Sequence, residues 1–266
     1  MNSPTMFSPR RVTVDTHAII SWYPLPGAGI LPVNSFLIRG EQPVLIDTGV
    51  SVLRSDFLRT LGTLVDLQDL RWIWLTHIDA DHVGNLQAVL KEAPQATIIT
   101  TFLGLGKLSL FQISPERVRL LNPGQRLDVG DRELIALRPP AFDAPETTGL
   151  MDTKTRVLFS SDCFGALLQE PKDTAGDIPA AALREGLISW AVIDSPWLHQ
   201  VDSKLFRDTL SEYRSLDPDL ILGSHLPPAA AMMDVLVGHL SDARTAPRFT
   251  GPDHEAFLQM MASSAA

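Results

Sequence analysis

Apolar positions along the chain fall into two spacings, strict alternation or short continuous runs on one hand and three-to-four-residue spacing on the other. NSFLIRG (34–40) and PVLIDTG (43–49) are β-rich runs parted by Gly-Glu-Gln, which predicts a hairpin ending at Asp47-Thr48-Gly49. SVLRSDFLRTLGTL (51–64) carries Leu53, Phe57, Leu58 and Leu61 at helical spacing. RWIWLTH (71–77) reads as a short buried strand, VGNLQAVLKEA (83–93) as a helix and ATIITT (96–101) as another strand. The segment 105–124 is mixed and closes on Pro-Gly. Short strands follow at QRLDVG (125–130), RELIALRP (132–139) and TRVLFSSD (155–162). A polar loop within 166–180 leads into a helix reaching 192. SKLFRDTLSEYRSL (203–216) is amphipathic through Leu205, Phe206, Leu210, Tyr213 and Leu216, and DLILGSH (219–225) is a final strand.

Two successive strand-then-helix halves, with no repeat and no low-complexity linker, predict an α/β protein: two sheets covered by helices, a four-layer αββα sandwich. The expected division is one domain over residues 10–230 and a C-terminal helical tail, 231–266, packed on it. DHEAFLQMM in that tail is expected to be a surface helix with Asp253 as its N-cap.

Composition narrows the partners. The 266 residues carry a net charge of -9 and no basic run, which argues against nucleic acid or an anionic membrane as partner. No stretch approaches the ~20 apolar residues a membrane-spanning helix needs, and MNSPTMFSPRRVTV lacks the apolar centre of a secretory signal. A cytoplasmic location follows as the expectation, and the single cysteine, Cys163, fits a reducing compartment.

Chemistry concentrates at LTHIDADHVGN (75–85), where His77, Asp79, Asp81 and His82 place four metal-capable side chains at a strand-to-helix junction. Asp162 closes RVLFSSD and His225 closes DLILGSH, each at the end of a strand as His77 is. Asp143, in RPPAFDAPETTGL, again follows a strand. Strand ends gather on one edge of a sandwich, where ligands collect in layered α/β proteins. Cys163 reads as a small buried residue. His17, His199, His239 and His254 have no spacing that joins them to the cluster. Trp72 and Trp74 alternate along one strand and mark an apolar face.

The order H-x-[D/E/H]-x-D-H, a ligand past a strand, Asp in LFSSD and His in LGSH resembles the metallo-β-lactamase superfamily. HIDADH, PPAFDAPETT, VLFSSDCFGA and LILGSHLPP are similar to the di-iron domain of flavodiiron proteins, over roughly residues 30 to 230. The resemblance implies the metallo-β-lactamase fold and two metal ions. By position, His77, Asp79 and Asp143 would hold one metal, Asp81, His82 and His225 the other, and Asp162 would bridge. Asp79 departs from the Glu of flavodiiron proteins and the His of lactamases. Asp143 stands where nearly the whole superfamily has His, and Glu146 is an alternative donor there. Asp47, in LIDTG, would orient a ligand histidine through its free ring N–H.

Three imidazoles and four carboxylates make a formally tetra-anionic set, which tilts the site from zinc toward iron, with manganese as the next choice. The leading expectation is a non-haem di-iron protein that binds or reduces a diatomic such as O2 or NO. The roughly forty residues after His225 are too few for a flavodoxin-type domain, so electrons would come from a donor protein in trans; related folds often pair into dimers, which makes a homodimer a candidate assembly here. The alternative is a hydrolase whose metal-bridging hydroxide attacks an ester, thioester, lactone or phosphodiester. A third reading is a degenerate binding module that has lost one metal. The pocket is expected between 166–180 and a Gly/Pro-rich loop at 24–31.

Overall fold

The computed structural model describes residues 3–25 and 27–264. Two sheets stack face to face. The first runs, in spatial order, Thr5–Met6, Thr16–Leu25, Gly29–Ile38, Val44–Ile46, Trp72–Trp74, Thr97–Thr100 and Val118–Leu120, with Arg10–Arg11 also paired to Thr16–Leu25. Its last three pairings are parallel and the others antiparallel. The second runs Ala229–Ala230, Leu220–Leu222, Val157–Phe159, Gly149–Asp152, Glu133–Leu137 and Arg126–Asp128. Its one parallel pair is Val157–Phe159 with Leu220–Leu222.

Alternation sets the layers, because successive strand residues face opposite ways. Leu37, Leu45, Ile73 and Ile98 pack with Phe57, Leu61, Leu86, Val89 and Leu108 of the helices Arg54–Leu64, Leu86–Glu92 and Phe102–Ser109. Their neighbours Phe36, Ile38, Ile46, Trp72 and Trp74 join the core shared with the second sheet. There the Phe36 and Phe159 rings meet edge-on at 5.4 Å. The Trp74 indole N–H donates to Thr148 Oγ1 across 3.2 Å. Trp72–Trp74 is thus apolar on both faces, as a central parallel strand should be. On the far side of the second sheet lie helices Ala180–Asp194, Ser203–Arg214 and Met233–Ala243, which contribute Leu187, Phe206, Leu210, Leu236 and Leu240 to that same core. The αββα order is complete.

Several expectations need correction. The predicted loop at 24–31 is the end of a hairpin of two ten-residue strands, Thr16–Leu25 paired with Gly29–Ile38; Pro26 lies outside the described residues. Pro24 and Pro32 sit where the hairpin runs past its neighbours: Thr5–Met6 pairs only with Ser21 and Trp22, and Val44–Ile46 only with Phe36 to Ile38. A proline there costs no ladder hydrogen bond. The predicted helix 83–93 is two pieces, Ala80–Val83 and Leu86–Glu92. Between them the Asn85 amide donates to the carbonyls of Thr48 (2.7 Å) and Val50 (3.1 Å). A Cβ on Gly84 would come within 2.5 Å of Gly49 O. The chain is therefore pinned against the Asp47–Gly49 turn, and the helix breaks there. The strand Gly149–Asp152 and the helix Phe102–Ser109 were not resolved by the pattern.

One ionic knot ties the sheets together at the end away from these turns. The fully buried Arg132 guanidinium bonds Asp152 (2.9 Å), Asp131 (2.6 Å) and Asp15. In the tail, the Ala256 N–H donates to Asp253 Oδ1 (2.9 Å) at the start of the helix His254–Ser264.

Candidate metal centre

The strands Val44–Ile46, Trp72–Trp74, Val157–Phe159 and Leu220–Leu222 end on one edge of the sandwich, and the loops that leave them carry Asp47, His77, Asp162 and His225. Three backbone positions in this region lie in the left-handed region without glycine: Asp47 (φ 56°), Ser161 (φ 55°) and Phe164 (φ 70°). Such conformations cost about 1–3 kcal/mol each and persist only where the surroundings hold them. The Asp47 N–H donates to Trp74 O (2.9 Å) and Ser161 O accepts from the Ser224 N–H (2.9 Å), and the loop around His225 is held by Asn34. Its backbone N–H donates to Ser224 O (2.9 Å), and its buried amide donates to the carbonyls of Gly223 (3.0 Å) and Leu226 (2.9 Å), bracketing His225. Close packing fixes the rest: a Cβ on Gly165 would strike the Trp190 ring at 2.5 Å and His225 Cβ at 2.9 Å.

The three histidines are each held by Nδ1 and turn Nε2 inward. His82 Nδ1 donates to Asp47 Oδ2 at 2.8 Å. His225 Nδ1 donates to Pro32 O at 2.7 Å. His77 Nδ1 lies 3.2 Å from Thr76 Oγ1 and 3.3 Å from Ser161 Oγ. Asp47 also accepts from the Thr76 N–H (2.8 Å) and hydroxyl (2.7 Å), so its carboxylate is itself fixed. All three rings are about 1% exposed. Their Nε2 atoms surround one carboxylate, Asp162: 3.1 Å for His82, 3.3 Å for His225 and 3.5 Å for His77.

The remaining carboxylates complete two groups. Asp81 joins His82 (3.6 Å) and His225 (3.4 Å), and the donor atoms of these three lie within 4.8 Å of one another. Asp79 and Asp143 form a second group with His77, whose Nε2 is 3.8 Å from Asp143. All seven residues singled out from the sequence therefore converge. Glu146 does not join them: its buried carboxylate meets Lys107 Nζ at 2.5 Å and accepts from the Ile78 N–H at 3.4 Å. Asp143 faces the cluster on a loop held by the Trp197 indole, which donates to Phe142 O (2.7 Å), and by Arg138, which stacks 5.0 Å over the Phe142 ring.

One member escaped the sequence reading. Asp194, the last residue of Ala180–Asp194, brings its carboxylate to Asp143 and Asp162, with donor atoms mutually within 4.8 Å. A signal was present, because an anion at a helix C-terminus opposes the helix dipole and asks for a compensating partner. Cys163 is buried, as expected, and burial pushes its thiol well up, which makes it inert. The other histidines join none of these groups.

Electrostatics describe a place made for positive charge. Burial alone would lower His82 and His225, but Asp162 and Asp81 outweigh it; His82 stands well above the ordinary imidazole range and His225 is raised to about 9. Burial works against the Asp162 anion, yet His225, His82 and His77 hold it well below the usual carboxylate range. Asp143 is raised by burial, then by Asp162 and Asp79 against the pull of His77. Asp194 is pushed up to about 7 by burial, then by Asp162 and Asp143. The raised His82, His225, Asp143 and Asp194 groups all favour bound positive charge, and cations in place of protons would remove the strain. The donor set also fits metal: His77 Nε2, His82 Nε2 and Asp162 Oδ1 are buried without hydrogen-bond partners.

The expected pocket wall is partly realised. A cleft of about 440 Å³ lies between Ala28 at the hairpin tip, Leu167 to Glu170 and the Ile178–Ser189 stretch, with Ile30 and Leu168 exchanging backbone hydrogen bonds at 2.7 and 3.0 Å. None of the seven converging residues lines it.

Fold and strand-end constellation together are those of the metallo-β-lactamase superfamily. Within it, the chain belongs to the family described as ODP family beta lactamase, which residues 31–225 match. Its curated relatives include diflavin flavoproteins and flavorubredoxins, and its solved structural neighbours include flavodiiron proteins. An anaerobic nitric oxide reductase flavorubredoxin of Salmonella typhi is 33% identical over 134 residues, 50% of this chain and 28% of that protein. The rubredoxin oxygen:oxidoreductase of Desulfovibrio gigas superposes with a TM-score of 0.77 at 19% identity, over 89% of this chain and 61% of that one. The flavodiiron protein of Giardia intestinalis gives 0.77 at 17% identity, over 91% and 60%. These two structures establish the likeness of fold. The segments matched make up only 23% and 48% of a Nostoc diflavin flavoprotein and a Methanocaldococcus jannaschii protein among the curated relatives.

Proposed function

We propose that the protein is a dinuclear non-haem metalloprotein, di-iron in its main form, that binds or reduces a diatomic such as O2 or NO with electrons delivered by a separate donor. The observation that carries this reading is the convergence of three Nδ1-anchored histidines on Asp162, with their buried Nε2 atoms unspent or facing carboxylates. His77, Asp79 and Asp143 would hold one ion, Asp81, His82 and His225 the second, and Asp162 both. Bound there, the metals would supply redox equivalents and a place for the diatomic. The names of the nitric oxide reductase and oxygen oxidoreductase relatives support that chemistry.

The chain's own residues do the preparation. Asp47, Pro32 O, Thr76 and Ser161 fix the imidazole orientations before any metal arrives, which lowers the reorganisation needed on binding. Asp79 and Asp143 lie at the exposed edge of the group, while His77, His82, His225 and Asp162 are buried. A small ligand would therefore arrive from the Asp79–Asp143 side. The four carboxylates temper the electrophilicity of bound metals and so weigh against the hydrolytic alternative.

Iron-loaded protein, reduced chemically under nitrogen and mixed with NO or O2, tests this. The reading expects consumption of the gas with oxidation of the centre, followed by its optical spectrum. Zinc-loaded protein turning over a generic ester or phosphodiester, while the iron form ignores both gases, would replace it with the hydrolase.

A further inference from the structure

The two halves of the centre are unequal, and Asp194 makes them more so. On one side stand two imidazoles, His82 and His225, with Asp81 and the shared Asp162. On the other stands a single imidazole, His77, with Asp79, Asp143 and Asp162; Asp194 brings a further carboxylate to the Asp143–Asp162 face. A second observation, independent of the acidic residues, points to a ligand there. His77 Nε2 is 1% exposed as a residue, has no hydrogen-bond partner, and is aimed at Asp162 (3.5 Å) and Asp143 (3.8 Å). Asp194 sits at the C-terminal end of its helix, where the backbone carbonyls disfavour an anion. A cation between Asp143, Asp162 and Asp194 would offset that cost.

We propose that Asp194 donates a carboxylate oxygen to the His77–Asp79–Asp143 position, so that this position admits Mn2+ in place of Fe2+ far more readily than the His82–His225 position does. Oxygen-rich sets suit manganese, and added imidazole shifts preference toward iron and zinc. The inference rests on the dinuclear reading above but adds what that reading leaves open, which ion goes where.

The test is metal binding, not turnover. Metal-free full-length chain is equilibrated anaerobically with equal Mn2+ and Fe2+, then desalted; metals are counted by mass spectrometry and manganese is followed by its paramagnetic resonance spectrum. Wild type is expected to hold two ions per chain, with manganese confined to the His77–Asp79–Asp143 position and present there beside iron. Asp194→Asn is expected to lose manganese affinity by about tenfold or more with an altered manganese spectrum, while iron at the other position stays within about twofold. Asp143→His, which adds an imidazole to the same position, is expected to raise its iron-to-manganese ratio by a similar factor; it keeps the inference testable if the Asn variant misfolds, which far-ultraviolet dichroism would report. Two ions in wild type with Asp194→Asn indistinguishable from it would overturn the role of Asp194 and leave the dinuclear reading intact. Fewer than two ions in wild type would overturn both.

Discussion

Replacing Asp47 by Asn removes one charge and no volume from a residue that touches no metal position directly. The side chain accepts three hydrogen bonds, from the Thr76 N–H (2.8 Å), the Thr76 hydroxyl (2.7 Å) and His82 Nδ1 (2.8 Å). Its backbone lies at φ 56°, a region asparagine tolerates, so the turn should survive. The amide oxygen can keep the Thr76 N–H. The amide nitrogen would then face His82 Nδ1, a donor facing a donor, and the imidazole would have to move its proton to Nε2, the atom that points at Asp162 (3.1 Å). A charge-assisted hydrogen bond is worth about 1.5–3 kcal/mol, and about 1.4 kcal/mol is tenfold in an equilibrium constant. The expected loss of affinity at the His82–His225 position is therefore roughly 10–100-fold. Competition of Fe2+ against a chromophoric chelator under nitrogen measures it, with the melting temperature of the metal-free variant as control for folding. Affinity within about twofold of wild type, in a variant that melts normally, would refute the idea that Asp47 sets the His82 tautomer.

Arg132→Met should destabilise the fold by about 3–5 kcal/mol, because it leaves the fully buried Asp152 without its cation; denaturant unfolding reads it. Acid stability has the same origin. The Arg132 hydrogen bond holds the Asp131 carboxyl below an aspartate's 3.8, and for Asp15 the same partner outweighs the burial that opposes ionisation. Groups whose folded values are depressed stabilise the fold above the unfolded value and lose that contribution as pH falls through the folded one. Wild type should thus lose stability progressively below about pH 4, a loss that equilibrium unfolding as a function of pH should find flatter in Arg132→Met. Gly165→Ala should cost about 1–3 kcal/mol through overpacking against Trp190 and His225 and weaken metal binding, whereas Gly62→Ala, inside the helix Arg54–Leu64 where an added Cβ meets nothing within 4 Å, should leave metal binding unchanged and stabilise the fold by about 0.5–1 kcal/mol.

The parts of this protein that local pattern could reveal are those where a residue's role follows from its own short segment. His77, Asp162 and His225 each close an apolar run, and a strand end is readable from such a run alone; hence the layer order and the gathering of these residues on one edge could be anticipated. The hairpin Thr16–Leu25/Gly29–Ile38 was hidden because the Gly/Pro-rich stretch 24–31 reads as a loop unless it is known that no neighbouring strand reaches Pro24 and Pro32. The break at Gly84–Asn85 depends on a turn nearly forty residues earlier. His225 is oriented by a backbone carbonyl, that of Pro32, which no side-chain pattern can announce. Asp194 was passed over because its meaning lies in where its helix stops relative to the sheet edge. The choice between Asp143 and Glu146 likewise needed the fold: Lys107, on the helix over the first sheet, draws Glu146 away.

The central claim is that this strand-end cage holds two ions of oxygen-loving character. Counting metals by mass spectrometry on the protein purified without added metal tests it most directly. The account predicts two ions per chain, drawn from iron and manganese; one ion or none, or zinc filling both positions, would contradict it.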